Sequence, residues 1–166
     1  MKIPKTNAAR MLDKAGIAYK LTSYEVDESD LGAEHLAKQL GVDSDRIFKT
    51  LVLKGDRIGY FVCVVPGGKE LDLKKAAAVS GNKSCAMIPM KELQAVTGYV
   101  RGGCSPIGMK KHFPTFVDES VDLHAEIYVS AGLRGVQLLL APADLVRVAE
   151  AKVAALALAK ENSHAD

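Results

Sequence analysis

The chain is expected to fold as α+β: one domain over residues 1–166, with a mixed, curved β-sheet flanked by helices. Three observations carry this. Segments that alternate with period two intermix with segments of helical spacing, without the strict β-α-β order of a doubly wound sheet. No GxGxxG follows a strand-like run, which argues against a dinucleotide-binding fold. Finally, 166 residues that are 48% hydrophobic match the size of one compact domain and can build a core without disulfide or metal staples.

The elements follow in order. Residues 6–15 place Ala8, Met11, Leu12 and Ala15 on one helical face, with Thr6 or Asn7 as cap and Gly16 as stop. Residues 19–24 alternate as a half-buried strand, and the acidic run Glu25-Val26-Asp27-Glu28 reads as loop. Residues 32–40 form a helix ended by Gly41. Residues 47–53 and 60–65 form a hairpin around Lys54-Gly55-Asp56-Arg57. Short helices follow at residues 73–79 and 90–96, with Asp72 and Pro89 near their starts and Gly81 and Gly98 after their ends. A Gly/Pro-rich segment over residues 98–114 precedes strands at 115–117, 126–130 and 135–140. The last two flank the turn Ala131-Gly132-Leu133-Arg134. Pro142 then starts an Ala-rich helix with Asp144 in its first turn, and the polar run at residues 161–164 is expected to fray.

Charge excludes some function classes. Charged residues are 25% of the chain, and 22 Lys plus Arg against 20 Asp plus Glu leave a formal net charge of +2. Neither a disordered tail nor a histone-like DNA neutraliser fits that balance, so DNA is not an expected partner and any nucleic acid must meet a local patch. Cys63, Cys85 and Cys104 are odd in number and form no CxxC. No histidine pair has zinc spacing, and His35, His112, His124 and His164 are scattered, so neither a metal site nor a cofactor is expected. Free thiols, the lack of a signal-peptide core and the lack of a run of roughly 20 apolar residues point to a cytoplasmic protein with no membrane partner.

Two features can carry chemistry. In Phe48-Lys49-Thr50-Leu51-Val52-Leu53, strand alternation puts Lys49 on a face with Leu51 and Leu53. An ammonium facing a cleft beside a phosphate or oxyanion explains this, and so does an edge lysine snorkelling past apolar surface. The run from Tyr99 through Gly102, Gly103, Cys104, Ser105 and Pro106 to Gly108 can bring backbone N–H groups onto an anion, with Ser105 adding a hydroxyl. A plain wide turn between helix and strand also accounts for it, and is the commoner reading of an isolated glycine-rich loop. Cys104 has no His/Asp partner nearby and reads as a small buried hydrophobe rather than a nucleophile. Arg101, Lys83, Lys91, Lys110 and Lys111 can form a basic rim or ordinary solvated charge. Gly132-Leu133-Arg134-Gly135 has the GxxG form of RNA-clamping KH modules, but it is placed between strands, where it reads as a hairpin turn.

Taken together, Phe48-Lys49-Thr50-Leu51, Leu71-Asp72-Leu73-Lys74-Lys75, the run Thr97 to Lys111, Ile127 to Ser130 and Gly132 to Gly135 resemble the YbaK family. Its members are free-standing Cys-tRNA(Pro) deacylases related to the editing domain inserted in bacterial prolyl-tRNA synthetases. The resemblance runs in matching order over nearly the whole chain. It implies that fold, and a cleft that takes the aminoacylated 3′ end of a mischarged tRNA and removes the wrong amino acid. It also implies a catalytic role for Lys49, Gly102 and Gly103, with Gly102 and Pro106 matching the family's GxxxP loop. Tyr24, Cys104, Ser105, Pro106, Ser130, Gly132 and Arg134 fall at positions implied to bind substrate. No cofactor is implied, and the implied partners are the tRNA and prolyl-tRNA synthetase in a ternary complex.

The missing catalytic triad is then no objection. In the YbaK type the substrate cysteine's thiol attacks its own carbonyl and leaves as a cyclic thioester, so the protein supplies positioning and an oxyanion site. Two positions depart from the family: Cys104 stands where relatives often have an apolar residue, and Gln137 where some have an acidic one. Three alternatives stay open. One is removal of alanine from Ala-tRNA(Pro), or of another small misacylated residue, the second is a non-enzymatic tRNA- or synthetase-binding module, and the third is thiol chemistry at Cys104.

Overall fold

A computed structural model describes residue 3 and residues 5–158. The elements run α1 (Asn7–Lys14), β1 (Lys20–Ser23), α2 (Ala33–Leu40), β2 (Phe48–Gly55), β3 (Tyr60–Pro66), α3 (Leu73–Ser80), β4 (Cys85–Met87), α4 (Leu93–Thr97), β5 (Thr115–Asp118), β6 (Ile127–Leu133), β7 (Val136–Leu140), α5 (Pro142–Val148) and β8 (Ala151–Ala154). The α+β class is as expected. The predicted run at residues 161–164 lies outside the described residues.

The strands divide between two sheets, which alternation alone does not separate. One has the order β4-β2-β3-β5-β8. Within it β2 pairs antiparallel with β3 and β4, whereas β5 pairs parallel with both β3 and β8, so it is the mixed sheet. The other is antiparallel, in the order β1-β7-β6. An isolated bridge between Ile47 and Tyr128 links the two.

Side-chain alternation explains the layers. Phe48, Val52, Val62 and Val64 project from β2 and β3 into the main core, where they meet Val129 and Leu138 of the second sheet and Leu12 of α1. The opposite face carries Leu53, Phe61, Cys63 and Val65, covered by Ala76 of α3 and by Leu156. A sheet apolar on both faces must be covered on both, and the chain does this with the second sheet and a helix. A smaller cluster of Ala37, Ile47, Tyr128 and Leu139 seats α2.

Two elements depart from the sequence expectation. The Ala-rich segment after Pro142 does not continue as helix: α5 ends at Val148, Glu150 takes a positive φ of 51°, and residues 151–154 become β8. Pairing with β5 overrides alanine's helix preference. It is reinforced where the Asp118 carboxylate accepts the N–H groups of Leu156 and Ala157, each at 2.9 Å. Residues 85–87, to which the sequence assigns no element, form β4. Here Asp56 Oδ1 accepts from the N–H groups of Lys83 and Ser84, and Asn82 Oδ1 accepts from those of Arg57 and Ile58. Those bonds hold β4 against the far end of β2 only, from Leu53 to Gly55.

One consequence positions the site. The edge of β2 opposite β3 is occupied at one end by β4, with the Ile88 N–H donating to Val52 O at 3.1 Å, and at the other by the Ile47–Tyr128 bridge. Between them, around Lys49–Leu51, no strand pairs with that edge, and the cleft opens there.

Candidate functional site

The cleft has a volume of about 410 Å³. Its floor is the open edge of β2 from Phe48 to Val52. Its walls come from the segment around Leu31 and the start of α2, from Met87 to Leu93, from the loop at Arg101–Cys104, and from Ser130 and Gln137 of the second sheet.

Lys49 lies half-buried in this cleft, next in register to Val65. Its Nζ donates to the Gly67 carbonyl at 3.4 Å, the long end for a hydrogen bond. Burial holds the ammonium below its ordinary pKa, opposed by the nearby negative charge of Glu70. With one long bond to a neutral carbonyl, the ammonium retains capacity for an anionic ligand.

The glycine-rich segment is a braced loop. The Thr97 hydroxyl donates to Leu93 O and accepts from the Tyr99 N–H, and the Tyr99 hydroxyl donates to Ile107 O at 2.6 Å, closing the loop across its ends. Glycine is required at two contacts. Gly102 has φ +84°, and a Cβ there would lie 3.2 Å from Arg134 Nε and 3.3 Å from Leu31 Cδ1. Gly132 has φ +99°, and a Cβ would lie 2.8 Å from the Tyr99 ring. The loop is therefore clamped to the β6–β7 hairpin by backbone-close packing.

Of the ten residues singled out from sequence, Tyr24, Lys49, Gly102, Cys104 and Ser130 line the cleft. Tyr24 is held by its N–H, which donates to Gly135 O at 2.9 Å. Ser130 Oγ accepts from the Gly132 N–H at 3.2 Å. Cys104 is 9% exposed, and burial pushes its thiol up to about 12, so it is protonated at neutral pH and is not a prepared nucleophile.

The other five sit behind the lining. Gly103 donates its N–H to Val100 O at 2.9 Å within the turn. Ser105 is fully buried, and its Oγ accepts from the Ile107 N–H at 3.2 Å, so its hydroxyl shapes the loop. Pro106 is buried beside it. Gly132 packs on Tyr99 as described. Arg134 lies over the loop, with Nε donating to Arg101 O at 2.6 Å and the guanidinium 3.6 Å from Glu28. The turn of the hairpin falls at Arg134-Gly135, because β6 runs on to Leu133 through a register shift after Ser130.

Of the basic set, Arg101 lines the cleft; Lys83 belongs instead to the clasp on the β2–β3 turn. Sequence reasoning did not identify Thr50, Leu31, Gly67, Met87 or Met90 as lining residues. Thr50 had a signal in its adjacency to Lys49 on an exposed edge. The two methionines, 46% and 57% exposed, had none, because Met87 fell between the expected elements and Met90 opened an expected helix. Among the described residues, no three His, Cys, Asp or Glu side chains converge to hold a metal ion. No described helix is long and apolar enough to cross a membrane.

Comparisons with known proteins match the chain to a family and its fold. A family model for the aminoacyl-tRNA editing domain matches residues 28–148. A candidate Cys-tRNA(Pro)/Cys-tRNA(Cys) deacylase of Enterococcus faecalis is 49% identical over 150 residues, covering 90% of this chain and 92% of that protein. The proline–tRNA ligase of Thermosipho melanesiensis is 37% identical over 76 residues, which are 46% of this chain and 13% of the ligase. The crystal structure of a candidate trans-editing enzyme for prolyl-tRNA synthetase superposes with a TM-score of 0.80 at 26% identity, covering 92% of this chain and 98% of that one.

Proposed function

The chain belongs to the aminoacyl-tRNA editing domain family, and from that premise we propose that it is a trans-editing deacylase that releases cysteine from mischarged Cys-tRNA(Pro), with residues 1–166 acting as one unit in the cytoplasm. The observation that carries this is the convergence of the Lys49 ammonium and the Gly102 backbone on one cleft at an open strand edge. The name of the Enterococcus faecalis relative supports the choice of substrate.

The cleft takes the aminoacylated 3′ end. Lys49 holds a terminal phosphate or ribose oxygen, and the exposed methionines at the rim, Met87 and Met90, offer apolar surface to the terminal base. The substrate thiol loses its proton as its sulfur attacks the carbonyl carbon. A C–S bond forms, negative charge collects on the carbonyl oxygen, and the ester C–O bond then breaks. The ribose oxygen takes up a proton, and the amino acid leaves as a cyclic thioester that water opens afterwards. The oxyanion donor is the Gly102 N–H, because the Gly103 N–H is already committed to Val100. Tyr24, Cys104 and Ser130 shape the pocket around the aminoacyl group, while Ser105, Pro106, Gly132 and Arg134 hold the loop in place.

A second sieve is useful because size alone separates such small amino acids by only about 1–3 kcal/mol. With a net charge of +2, the chain has little general attraction for a polyanion. Prolyl-tRNA synthetase supplies the tRNA selectivity in a ternary complex, a reading supported by the name of the structural relative, a candidate trans-editing enzyme for prolyl-tRNA synthetase.

The test is deacylation of Cys-tRNA(Pro) and Ala-tRNA(Pro) side by side, by the protein and by Lys49→Ala. Cysteine-selective release, lowered at least tenfold (about 1.4 kcal/mol of transition-state stabilisation) in the variant, is expected. Alanine release would replace the substrate, and unchanged turnover in Lys49→Ala would remove the lysine from the mechanism.

A further inference from the structure

Two buried polar atoms in the described part of the chain lack any hydrogen-bond partner, Thr50 Oγ1 and Gln137 Oε1, and both belong to residues lining the cleft. Gln137 is only 4% exposed. It lies in β7 opposite Ser130 of β6 and Thr22 of β1, so it stands at the centre of its sheet, and it lines the same cleft as Thr50 of β2. Leaving a buried oxygen unpaired is unfavourable by about 1–3 kcal/mol per group, and native chains rarely tolerate it without a reason.

We infer that Thr50 and Gln137 are a specificity-determining pair that receives the α-ammonium of the aminoacyl group. The inference rests on the aminoacyl-ester reading above.

What the pair lacks is donors. An amide oxygen accepts only, and a threonine hydroxyl can accept as well as donate. The orphaned atom of Gln137 is its acceptor, so a bound ligand pairs it only by bringing a donor. A thiol or a ribose hydroxyl brings one donor. The α-ammonium of an aminoacyl ester brings three, enough to satisfy both oxygens at once. Ser130 Oγ accepts from the Gly132 N–H and is less available for this role. Because the acceptors are neutral, the pair selects a free amine through hydrogen bonds rather than through an ion pair. It therefore rejects chains whose α-nitrogen is acylated, which includes initiator and peptidyl tRNAs.

The experiment measures binding of three non-hydrolysable analogues, in which an amide replaces the ester to the ribose of adenosine. They carry cysteine, N-acetylcysteine, or 3-mercaptopropionate, which keeps the thiol and lacks the amine. The cysteine analogue should bind at least tenfold more tightly than the other two. That ratio should fall toward one in Gln137→Met and in Thr50→Val, and persist or grow in Gln137→Glu, with melting followed for each variant. Equal binding of the three analogues to the unaltered protein, or a ratio unchanged in folded Gln137→Met and Thr50→Val, would overturn the inference alone. Failure of all three to bind would overturn it together with the deacylase reading. Amine-selective binding without any cleavage of Cys-tRNA(Pro) would support the pair and sink the deacylase reading.

Discussion

Replacing Gly102 with alanine separates two costs that usually arrive together. Gly102 and Gly16 both take positive φ, +84° and +71°, but a Cβ on Gly16 meets nothing within 4 Å, whereas one on Gly102 meets Arg134 Nε at 3.2 Å and Leu31 Cδ1 at 3.3 Å. Gly16→Ala therefore reports the backbone term alone, about 1–2 kcal/mol for a non-glycine residue in the left-handed region. Gly102→Ala adds displacement of Arg134, whose Nε bond to Arg101 O is of the charge-assisted kind worth about 1.5–3 kcal/mol. Arg134 is partly exposed, which favours the low end, so the total should be about 2.5–3.5 kcal/mol. Urea unfolding of the two variants should thus differ by about 1.5 kcal/mol. Turnover should divide more sharply, because a shift approaching 1 Å at the reacting centre can lower a rate about a hundredfold. Gly16→Ala should stay within twofold of the parent on Cys-tRNA(Pro), and Gly102→Ala should fall at least tenfold. Equal stability losses together with normal turnover in Gly102→Ala would refute the argument that Arg134 and Leu31 close on this glycine.

Three further outcomes are expected. The Lys49 ammonium, held below 10.5 by burial and supported by Glu70, is lost as pH rises through its lowered pKa. The alkaline fall in kcat/KM should therefore come earlier than for an exposed lysine, and Glu70→Gln should move it to still lower pH; a limb unmoved by that change would count against Lys49 as the titrating group. Burial alone would raise the pKa of Asp118, but hydrogen bonds from Ser120, Ala157 and Leu156 leave it lowered, so its contribution is present above the unfolded value of about 3.9 and lost as pH falls through the folded one. Asp118→Ala strands the N–H groups of Leu156 and Ala157 and should lower stability by about 2–5 kcal/mol at pH 7, with a narrowing gap in acid; a pH-independent gap in urea titrations would contradict this. Finally, Cys104→Ser should retain turnover within twofold, and iodoacetamide at pH 8 should label Cys85 before Cys63 and Cys104, whose thiols burial raises to about 12. A tenfold loss in folded Cys104→Ser that Cys104→Ala shares would assign Cys104 a larger part in the pocket, and inactivation of the parent by iodoacetamide in step with Cys104 labelling would restore thiol chemistry.

Local signals located most elements because cap, period and turn residues agree at each. Asp72 caps α3 by accepting from the N–H groups of Lys74 and Lys75, and Gly81 follows its last residue, so α3 was legible from both ends. Lys49 was legible because a charge breaking an apolar strand must go somewhere polar. What stayed hidden depends on contacts distant in sequence. The strand at residues 151–154 has alanine's helical composition and becomes β8 only because β5 and Asp118 await it. The division into two sheets rests on pairings such as Leu21 with Leu138, which no local window contains. In the site, the loop's anchors were legible as glycines but their purpose was not: Gly132 reads as a turn residue and acts as a seat for Tyr99. Thr50 adjoins Lys49 and Gln137 departs from the family pattern in sequence, but their unmatched oxygens emerge only when the second sheet meets the open edge of β2.

The pairing of β1 with β7 also orders events during synthesis. Lys20–Ser23 leaves the ribosome more than a hundred residues before Val136–Leu140, the strand that Leu21 and Thr22 must join. Until then the early strand has no partner in its sheet, Tyr24 lacks the Gly135 carbonyl that holds it, and the wall bearing Ser130 and Gln137 does not exist. The parallel strand β8 comes later still. Such a topology folds slowly, and its apolar segments wait exposed while the rest is made. A nascent chain that ends before Val136 lacks Gln137 and the strand that holds β1, so the wall they form is missing from the cleft.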